Sequence, residues 1–502
     1  MNLTIHIIHI QIWLICFLTA CVACPAITSA QDLTFTEHVR SLGAPPDNAT
    51  LIAESLLPGP ENKRLMFVSM TETGMAMTVD GQAGEEVAAI GKASHRFSPN
   101  GRHYAYIAMQ AGHSRLVLNG QQGPKFDGVA SVVFSPDSQR ILYVAQQEGK
   151  QCVVDNGRKG KFYKRIAYTM GPVLSPDSRH LAYVAQKEND AAVIVLDRHE
   201  SDEYELVLEP SFSPDSEEFA FIAVQDGAYH VVRNGKMGTG RDKISKLTFS
   251  PDSGHIAYVA EDQGKSFVVL DGKKQMPCRK VGSLIFSPDS KRLAYLAIIG
   301  QKMHIILDGQ KGPAFDSIGA YLFSPDSSDL AYTAVNGEKS TIVLNQKPTM
   351  TTPSNGMPVF SPDSRHLAHR SWQDGKWFMV KDGKKGSRYD GVRRPYFSPD
   401  SRHLAYVAVE GEDWYMILGK KRFGPFDWVD RPWFSPEGDH LAFVAARDGQ
   451  SFVVVDGVEG EAKFDGFLKG VPLVWEGENM VRGMALRLPK PEFYRVEAMI
   501  EN

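Results

Sequence analysis

Six histidines have the first claim to chemistry. His103, His180, His255, His366, His403 and His440 each stand four residues after a motif proline, and the last three recur at intervals of 37. Three imidazoles that converge can hold zinc. The same position in other copies of the motif holds Arg64, Arg140, Glu218, Arg292 or Asp329, a mixture that metal ligands do not tolerate. The expected role is a solvated residue at the start of a strand, and no metal site is expected. Asp127, Asp242, Asp316, Asp390 and Asp427 share another position, eight residues after a recurring turn. Carboxylates could serve catalysis or calcium, but their repetition points to structure, each accepting backbone N–H bonds from a nearby turn. Nucleophilic chemistry lacks its motif, because Gly112-His113-Ser114-Arg115-Leu116 fails the Gly-x-Ser-x-Gly pattern at its last position. There is no His-Glu-x-x-His, no paired Cys-x-x-Cys, no phosphate loop and no EF-hand pattern. No catalytic residue and no cofactor is expected.

One asymmetry remains, and it is aromatic. Of seven tryptophans, six lie between Trp372 and Trp475. Arg393-Arg394-Pro395-Tyr396 and Trp428-Val429-Asp430-Arg431-Pro432-Trp433 occupy the same place in neighbouring copies of the repeat. Arginine beside tyrosine or tryptophan is typical of binding hot spots. Arg394, Tyr396, Trp428, Asp430, Arg431 and Trp433 therefore form a candidate ligand surface. The competing reading is packing between repeats, since tryptophan is mostly buried.

The elements that position these groups are repeats. Ser-Pro-Asp-Ser, or a close variant, follows Phe97, Phe134, Leu174, Phe212, Phe249, Phe286, Phe323, Phe360, Phe397 and Phe434, at steps of 37, 40, 38 and then 37 six times. Asp-Gly or Asn-Gly, or a relic of it, keeps the same beat from Asp80 to Asp456. Degenerate copies around Pro60 and Glu476 bring the count to twelve units. Within the unit 395–431, residues 395–398 make a short strand, and Pro399, Asp400 and Ser401 suit a type I turn. Residues 403–409 and 414–418 are apolar strands, and 424–429 an outer one. Asp-Gly closes tight hairpins in most copies because such turns need φ > 0. Strands apolar on both faces, such as Phe452-Val453-Val454-Val455, belong in a sheet sandwiched between two others. Four short antiparallel strands repeated radially make a propeller blade. The fold expected is all-β, a β-propeller array of about twelve four-stranded blades.

Phe-Ser-Pro-Asp-Ser-x-x-Leu-Ala-Tyr-Val-Ala resembles the TolB-type β-propeller repeat, a relative of the WD repeat, over nearly the whole array. The units here are shorter, and carry Asp382-Gly383-Lys384-Lys385-Gly386 and Tyr389-Asp390. The resemblance implies six blades per propeller, hence two propellers, 31–280 and 281–502. No linker interrupts the beat, so one large ring or a five-plus-seven split stays open. Leu33 to Val39 resembles an outer strand, and the last unit stops one strand short. The N-terminal segment is expected to complete it and close a ring. Peptidases with such propellers carry a hydrolase domain with Gly-x-Ser-x-Gly, and no such domain is expected beside this array. The Ser-x-Asp-x-Gly box of sialidases matches residues 98–101 only as turn chemistry.

Residues 1–30 hold no Lys, Arg, Asp or Glu, and Thr28-Ser29-Ala30 follows an apolar run. This reads as a signal peptide. Leu18-Thr19-Ala20-Cys21 resembles a lipoprotein processing site, with a lipidated Cys21 as the alternative. Cys152 and Cys278 fall at different repeat positions and have no reason to pair. The formal net charge of −4 favours neither nucleic acid nor an anionic membrane. The expected protein is an exported, periplasmic or extracellular, non-catalytic scaffold binding a protein or glycan of the cell envelope. A glycan lyase or hydrolase with its site in the channel is one alternative, and a purely structural envelope protein another.

Overall fold

The computed structural model describes residues 33–167 and 171–501. The expected leader at 1–30, its cleavage site and Cys21 lie outside the described residues. The repeats fold into twelve small antiparallel sheets arranged as a twelve-bladed β-propeller. Blade 1 spans residues 50–83, blade 2 89–122, blade 3 128–159, blade 4 165–200, blade 5 206–237 and blade 6 243–274. Blade 7 spans 280–311, blade 8 317–352, blade 9 354–389, blade 10 391–426 and blade 11 428–459, and blade 12 combines 466–500 with 35–43.

The middle strands of each blade are buried on both faces, as their unbroken apolar runs require. In blade 11, Leu441–Arg447 and Gln450–Val455 pair from Ala442↔Val455 to Arg447↔Gln450. Their hairpin to the outer strand turns on Asp456 (φ 50) and Gly457 (φ 93). Each face then packs on a neighbouring blade, so the core is a series of slabs between blades.

The slabs decide how the array closes. Blades 6 and 7 share a core in which Val259 and Val268 meet Val281 and Tyr295, so no break falls at residue 280. Blade 12 packs on blade 1 through Phe493, Met484, Leu65 and Phe67, with Phe67 and Phe493 ring centroids 5.2 Å apart. The array is therefore one large ring, the arrangement left open by the unbroken beat, and the expected division at 280 has no counterpart in the packing. The N-terminal strand does complete the last blade. Phe35–Gly43 is its outermost strand, pairing antiparallel with Glu492–Ile500 from Phe35↔Ile500.

The Ser-Pro-Asp-Ser turn fastens blades as well as turning the chain. The turn itself is as expected, with Ser138 N–H donating to the Ser135 carbonyl at 2.8 Å and Ser401 N–H to Ser398 at 2.9 Å. The first serine is fully buried in blades 2 to 11, from Ser98 to Ser435. Its hydroxyl donates to the motif Asp and accepts an N–H five residues on, as Ser250 does with Asp252 (2.6 Å) and His255 N–H (2.9 Å). The Asp N–H then donates to the last serine of the next blade. Asp137 reaches Ser178, Asp177 Ser216, Asp215 Ser253, and Asp252 Ser290, all at 2.9–3.0 Å. The chain of links runs on to Asp363 and Ser401.

The accepting serines sit at positive φ, 66° for Ser253, a conformation that favours glycine. Ser253→Ala keeps that strain and loses the bond, an expected cost of about 1–2 kcal/mol. Ser253→Gly loses the same bond but relieves the strain, and should cost less than Ser253→Ala. Urea unfolding of the two variants checks the order.

Candidate functional site

Inner strands come in two forms. In blades 3 and 5 to 8 the strand is continuous with one bulge, as in Lys243–Phe249, whose register shifts between Ser245 and Thr248. In blades 1, 2, 4 and 9 to 12 it is interrupted, giving pairs such as Gly391–Val392 with Tyr396–Phe397 and Trp428–Val429 with Trp433–Phe434. The interruptions of blades 9 to 12 contain Pro358, Pro395, Pro432 and Pro472, residues without a ladder N–H. Proline alone does not force the break, because Pro210 lies at the bulge of a continuous strand.

Each interrupted loop is tied to the second strand of its blade by one backbone bond. Gly356 N–H donates to Arg370, Arg393 to Val407, Asp430 to Val444 and Leu468 to Met484, at 2.8–2.9 Å. Four loops in succession, with these anchors, line a cavity of about 920 Å³. Arg394, Tyr396, Trp428, Asp430 and Arg431 of the expected ligand surface all face it. Trp433 does not; it lies behind, its ring 3.9 Å beneath the Arg431 guanidinium carbon and its carbonyl accepting Trp475 Nε1–H at 3.0 Å. The packing reading thus holds for Trp433, whereas Trp428 is 40% exposed.

Sequence reasoning missed Arg370. At 37-residue steps the second strands carry Val259, Leu296, Thr333, Arg370, Val407 and Val444, so blade 9 alone in this run puts a charge where the repeat is apolar or neutral. Arg370 packs over Trp377 at 4.8 Å and donates to the Val392 carbonyl at 2.9 Å. Room for it comes from Gly356, where an added Cβ would meet Arg370 Cγ at 2.6 Å. Beside it His369 is buried in the place of the usual tyrosine or phenylalanine, and desolvation lowers its pKa to about 4, leaving it neutral.

The electrostatics of the cavity are one-sided. Arg370, Arg393, Arg394, Arg431 and Lys469 line it with a single carboxylate, Asp430. Among the described residues none of the five cations makes an ion pair. Elsewhere charges are neutralised locally, as in Arg241–Asp262 at 2.9 Å and Arg447–Glu459 at 2.7 Å. Such a site attracts anions and offers planar N–H donors to them.

The histidines do not enter the cavity. His180, His255, His366 and His440 bond Asp197, Asp271, Asp382 and Asp456 of their own blades through Nδ1, at 2.6–2.7 Å. Their rings stack on Phe212, Phe286, Phe397 and Trp475 of the next blade. For these four the expectation of a merely solvated residue is corrected: each is a fastener between blades. Arg64 and Arg292 do the same, pairing with Asp80 and Asp308 and lying over Phe97 and Phe323. Blade 5 inverts the pair, with Glu218 bonding an Arg233 that lies 6.0 Å over Phe249. One role filled by several residue types explains the mixture.

The recurrent aspartates accept turn N–H groups. Glu148, Gln263, Gly337, Gly411 and Asp448 donate to Asp127, Asp242, Asp316, Asp390 and Asp427 at 2.7–2.9 Å. Cys152 and Cys278 are buried and unpaired. Among the described residues no group of three or more His, Cys, Asp or Glu comes together to hold a metal, and no helix is long and apolar enough to cross a membrane.

The hydrogen bond that His440 donates to Asp456 raises the pKa of His440 above its ordinary 6.5. A raised folded value contributes stability that is complete below about pH 6.5 and lost as pH rises through the folded value. Asp456→Asn keeps the acceptor for Leu441 N–H but removes the charge. It is expected to flatten this pH dependence, read by unfolding on both sides of neutrality and by an NMR titration of His440.

No family model matches the chain, and no curated protein matches it. Solved structures with similarity to it include a TolB of Agrobacterium tumefaciens, at 15% identity over 40% of this chain and 84% of that one, with a TM-score of 0.24. The hydrazine synthase of Kuenenia stuttgartiensis is similar at 14% identity over 50% and 94%, TM-score 0.23. TolB of Acinetobacter baumannii is similar at 14% identity over 65% and 80%, TM-score 0.24. At these values nothing about the site is argued from them; the propeller stands on its own sheet order.

Proposed function

We propose that the protein is a non-catalytic binding scaffold, exported to the cell envelope, that holds a partner protein in the cavity of blades 9 to 12. The observation that carries this reading is the set of five unpaired cations facing one cavity in a chain of net charge −4. Uncompensated like charges repel, and a bound anion relieves them. The accessible aromatics, Tyr396 and Trp428, supply the rigid apolar contact typical of hot spots. A glycan fits less well, because its many hydroxyl donors would find Asp430 as the one carboxylate acceptor in the lining. Hydrolase chemistry is disfavoured on the same ground, since glycoside hydrolysis canonically uses a pair of carboxylates.

Partner capture from the native envelope tests the proposal. The wild-type chain is expected to retain a partner that Arg394→Ala/Arg431→Ala loses by at least about tenfold, the effect of removing roughly 1.4 kcal/mol. An unchanged set of captured proteins would sink the assignment.

A further inference from the structure

The cavity is polar along its length as well as cationic. We infer that it holds one partner segment in a fixed orientation, with an acidic stretch against blades 9 and 10 and apolar side chains against blade 12; the inference rests on the binding reading above. Blades 9 and 10 contribute Arg370, Arg393 and Arg394, and no carboxylate. Blade 12 contributes Phe467, Leu468, Val471, Leu473 and Met484, with Lys469 its one charge. Blade 11 stands between them with Trp428, Arg431 and Asp430, where Asp430 can accept an N–H from the passing segment.

The guanidinium faces at the acidic end are already covered. Arg393 lies 4.7 Å from the Trp414 ring centroid and Arg370 4.8 Å from that of Trp377. Stacking restricts the planes and leaves N–H edges, the geometry that takes a carboxylate in a bidentate way. At the apolar end, buried Leu468, Leu473 and Met484 form a floor without side-chain donors. Only an apolar group gains by displacing water from it.

This gradient belongs to these blades and not to the repeat. The positions of Arg393-Arg394 are Ser245-Lys246 in blade 6, Gly282-Ser283 in blade 7, Gly319-Ala320 in blade 8 and Gly356-Met357 in blade 9. A fatty acid has the right two ends, but its single carboxylate leaves most of the cations unmet. A segment with several acidic side chains meets them.

The test uses fluorescent synthetic peptides titrated onto the full chain by anisotropy. The first probe joins three glutamates to a leucine–phenylalanine–leucine block through a short flexible spacer. The second replaces the glutamates by glutamines, the third lacks the apolar block, and a labelled oligogalacturonate serves as the acidic glycan. The first probe is expected to bind, with the second and third each weaker by about tenfold or more. Arg393→Gln/Arg394→Gln should weaken the first probe by a similar factor and leave the second unchanged. Val471→Ser should weaken the first and spare the third. Lys246→Ala, at the blade 6 equivalent of Arg394, should change nothing. A photoreactive group at the acidic end should label residues 391–396, and one at the apolar end residues 466–476.

Labelling in the opposite sense, or on other blades, overturns the orientation. Tighter binding of the oligogalacturonate than of the first peptide overturns the ligand class. Absence of binding by every probe, while native partner capture still depends on Arg394 and Arg431, overturns the acidic–apolar order and leaves the binding reading standing. Loss of that dependence removes both.

Discussion

A chain lacking residues 31–43 is expected to lose its closed ring. The strand Phe35–Gly43 forms the outer edge of blade 12 and pairs along its length with Glu492–Ile500. Glu37 accepts Ala462 N–H at 2.7 Å and so ties blade 12 to the outer loop of blade 11. Leu42 is buried among Leu65 and Phe67 of blade 1 and Phe493 of blade 12. Each lost backbone bond is worth about 0.5–1.5 kcal/mol net, and emptying the Leu42 site costs about 2–5 kcal/mol. Together these reach on the order of 10 kcal/mol, comparable with the whole stability of a typical domain. The deletion also bares Glu492–Ile500 as an open edge, which promotes pairing between chains. Calorimetry should show the main transition falling by on the order of 10 °C, and light scattering should show association. A monodisperse variant with the original transition temperature would refute the role of this strand as the clasp of the ring.

Why the clasp was legible and the ring size was not has a physical answer. Leu33 to Val39 carries the alternation of an outer strand, and the C-terminal unit visibly lacks one, so pairing follows from counting. Blade number has no such mark. It depends on the small rotation from each blade to the next, which is set by side-chain volume in the slabs and by the serine links between blades. A periodic sequence states that neighbours pack alike, but not after how many neighbours the last meets the first. The six-blade expectation came from resemblance, and the packing of Phe67 on Phe493 replaced it.

The site divides in the same way. Arg394, Asp430 and Arg431 were legible because they break the pattern of glycine and small residues found at the same positions in blades 7 and 8, and Tyr396 and Trp428 because they are aromatic neighbours of those charges. Arg370 breaks the pattern of Val259, Leu296, Val407 and Val444 just as plainly, and comparing each unit with its own consensus would have found it. What no comparison of units gives is convergence. Trp433 has the same composition signal as Trp428, yet one side chain faces the cavity and the other supports Arg431 from behind. The histidines were harder again. Their stacking partner is the aromatic residue before the next unit's Ser-Pro or its degenerate copy, so their role exists only between blades and is invisible within one.

The ring should also be sensitive to one buried arginine. Arg482 of blade 12 is 4% exposed and bonds Glu497 at 2.8 Å, Glu476 at 2.6 Å and the Glu61 carbonyl, on the approach to the blade 1 strand, at 3.0 Å. Asn62 Nδ2 donates to the Pro472 carbonyl at 2.5 Å and Arg495 to the Lys63 carbonyl at 3.1 Å across the same seam. Arg482→Ala leaves Glu497, 17% exposed, with Arg495 at 3.1 Å as its remaining ion-pair partner, and removing one member of a buried ionic group costs about 3–5 kcal/mol. The midpoint of urea unfolding should fall with little change in slope. Arg482→Met/Glu497→Leu removes both charges and should recover much of the loss. The hydrogen bond from Arg482 also holds the Glu476 carboxyl below its ordinary 4.5. A depressed folded value contributes stability that is present above about pH 4.5 and lost as pH falls through the folded value. That acid sensitivity should shrink in Arg482→Ala. Because Leu473 and Met484 flank Arg482 and floor the cavity, partner capture should weaken in Arg482→Ala even where the chain remains folded. A loss of stability below about 1 kcal/mol would mean that apolar packing of Phe67 and Phe493, rather than this ionic group, holds the seam.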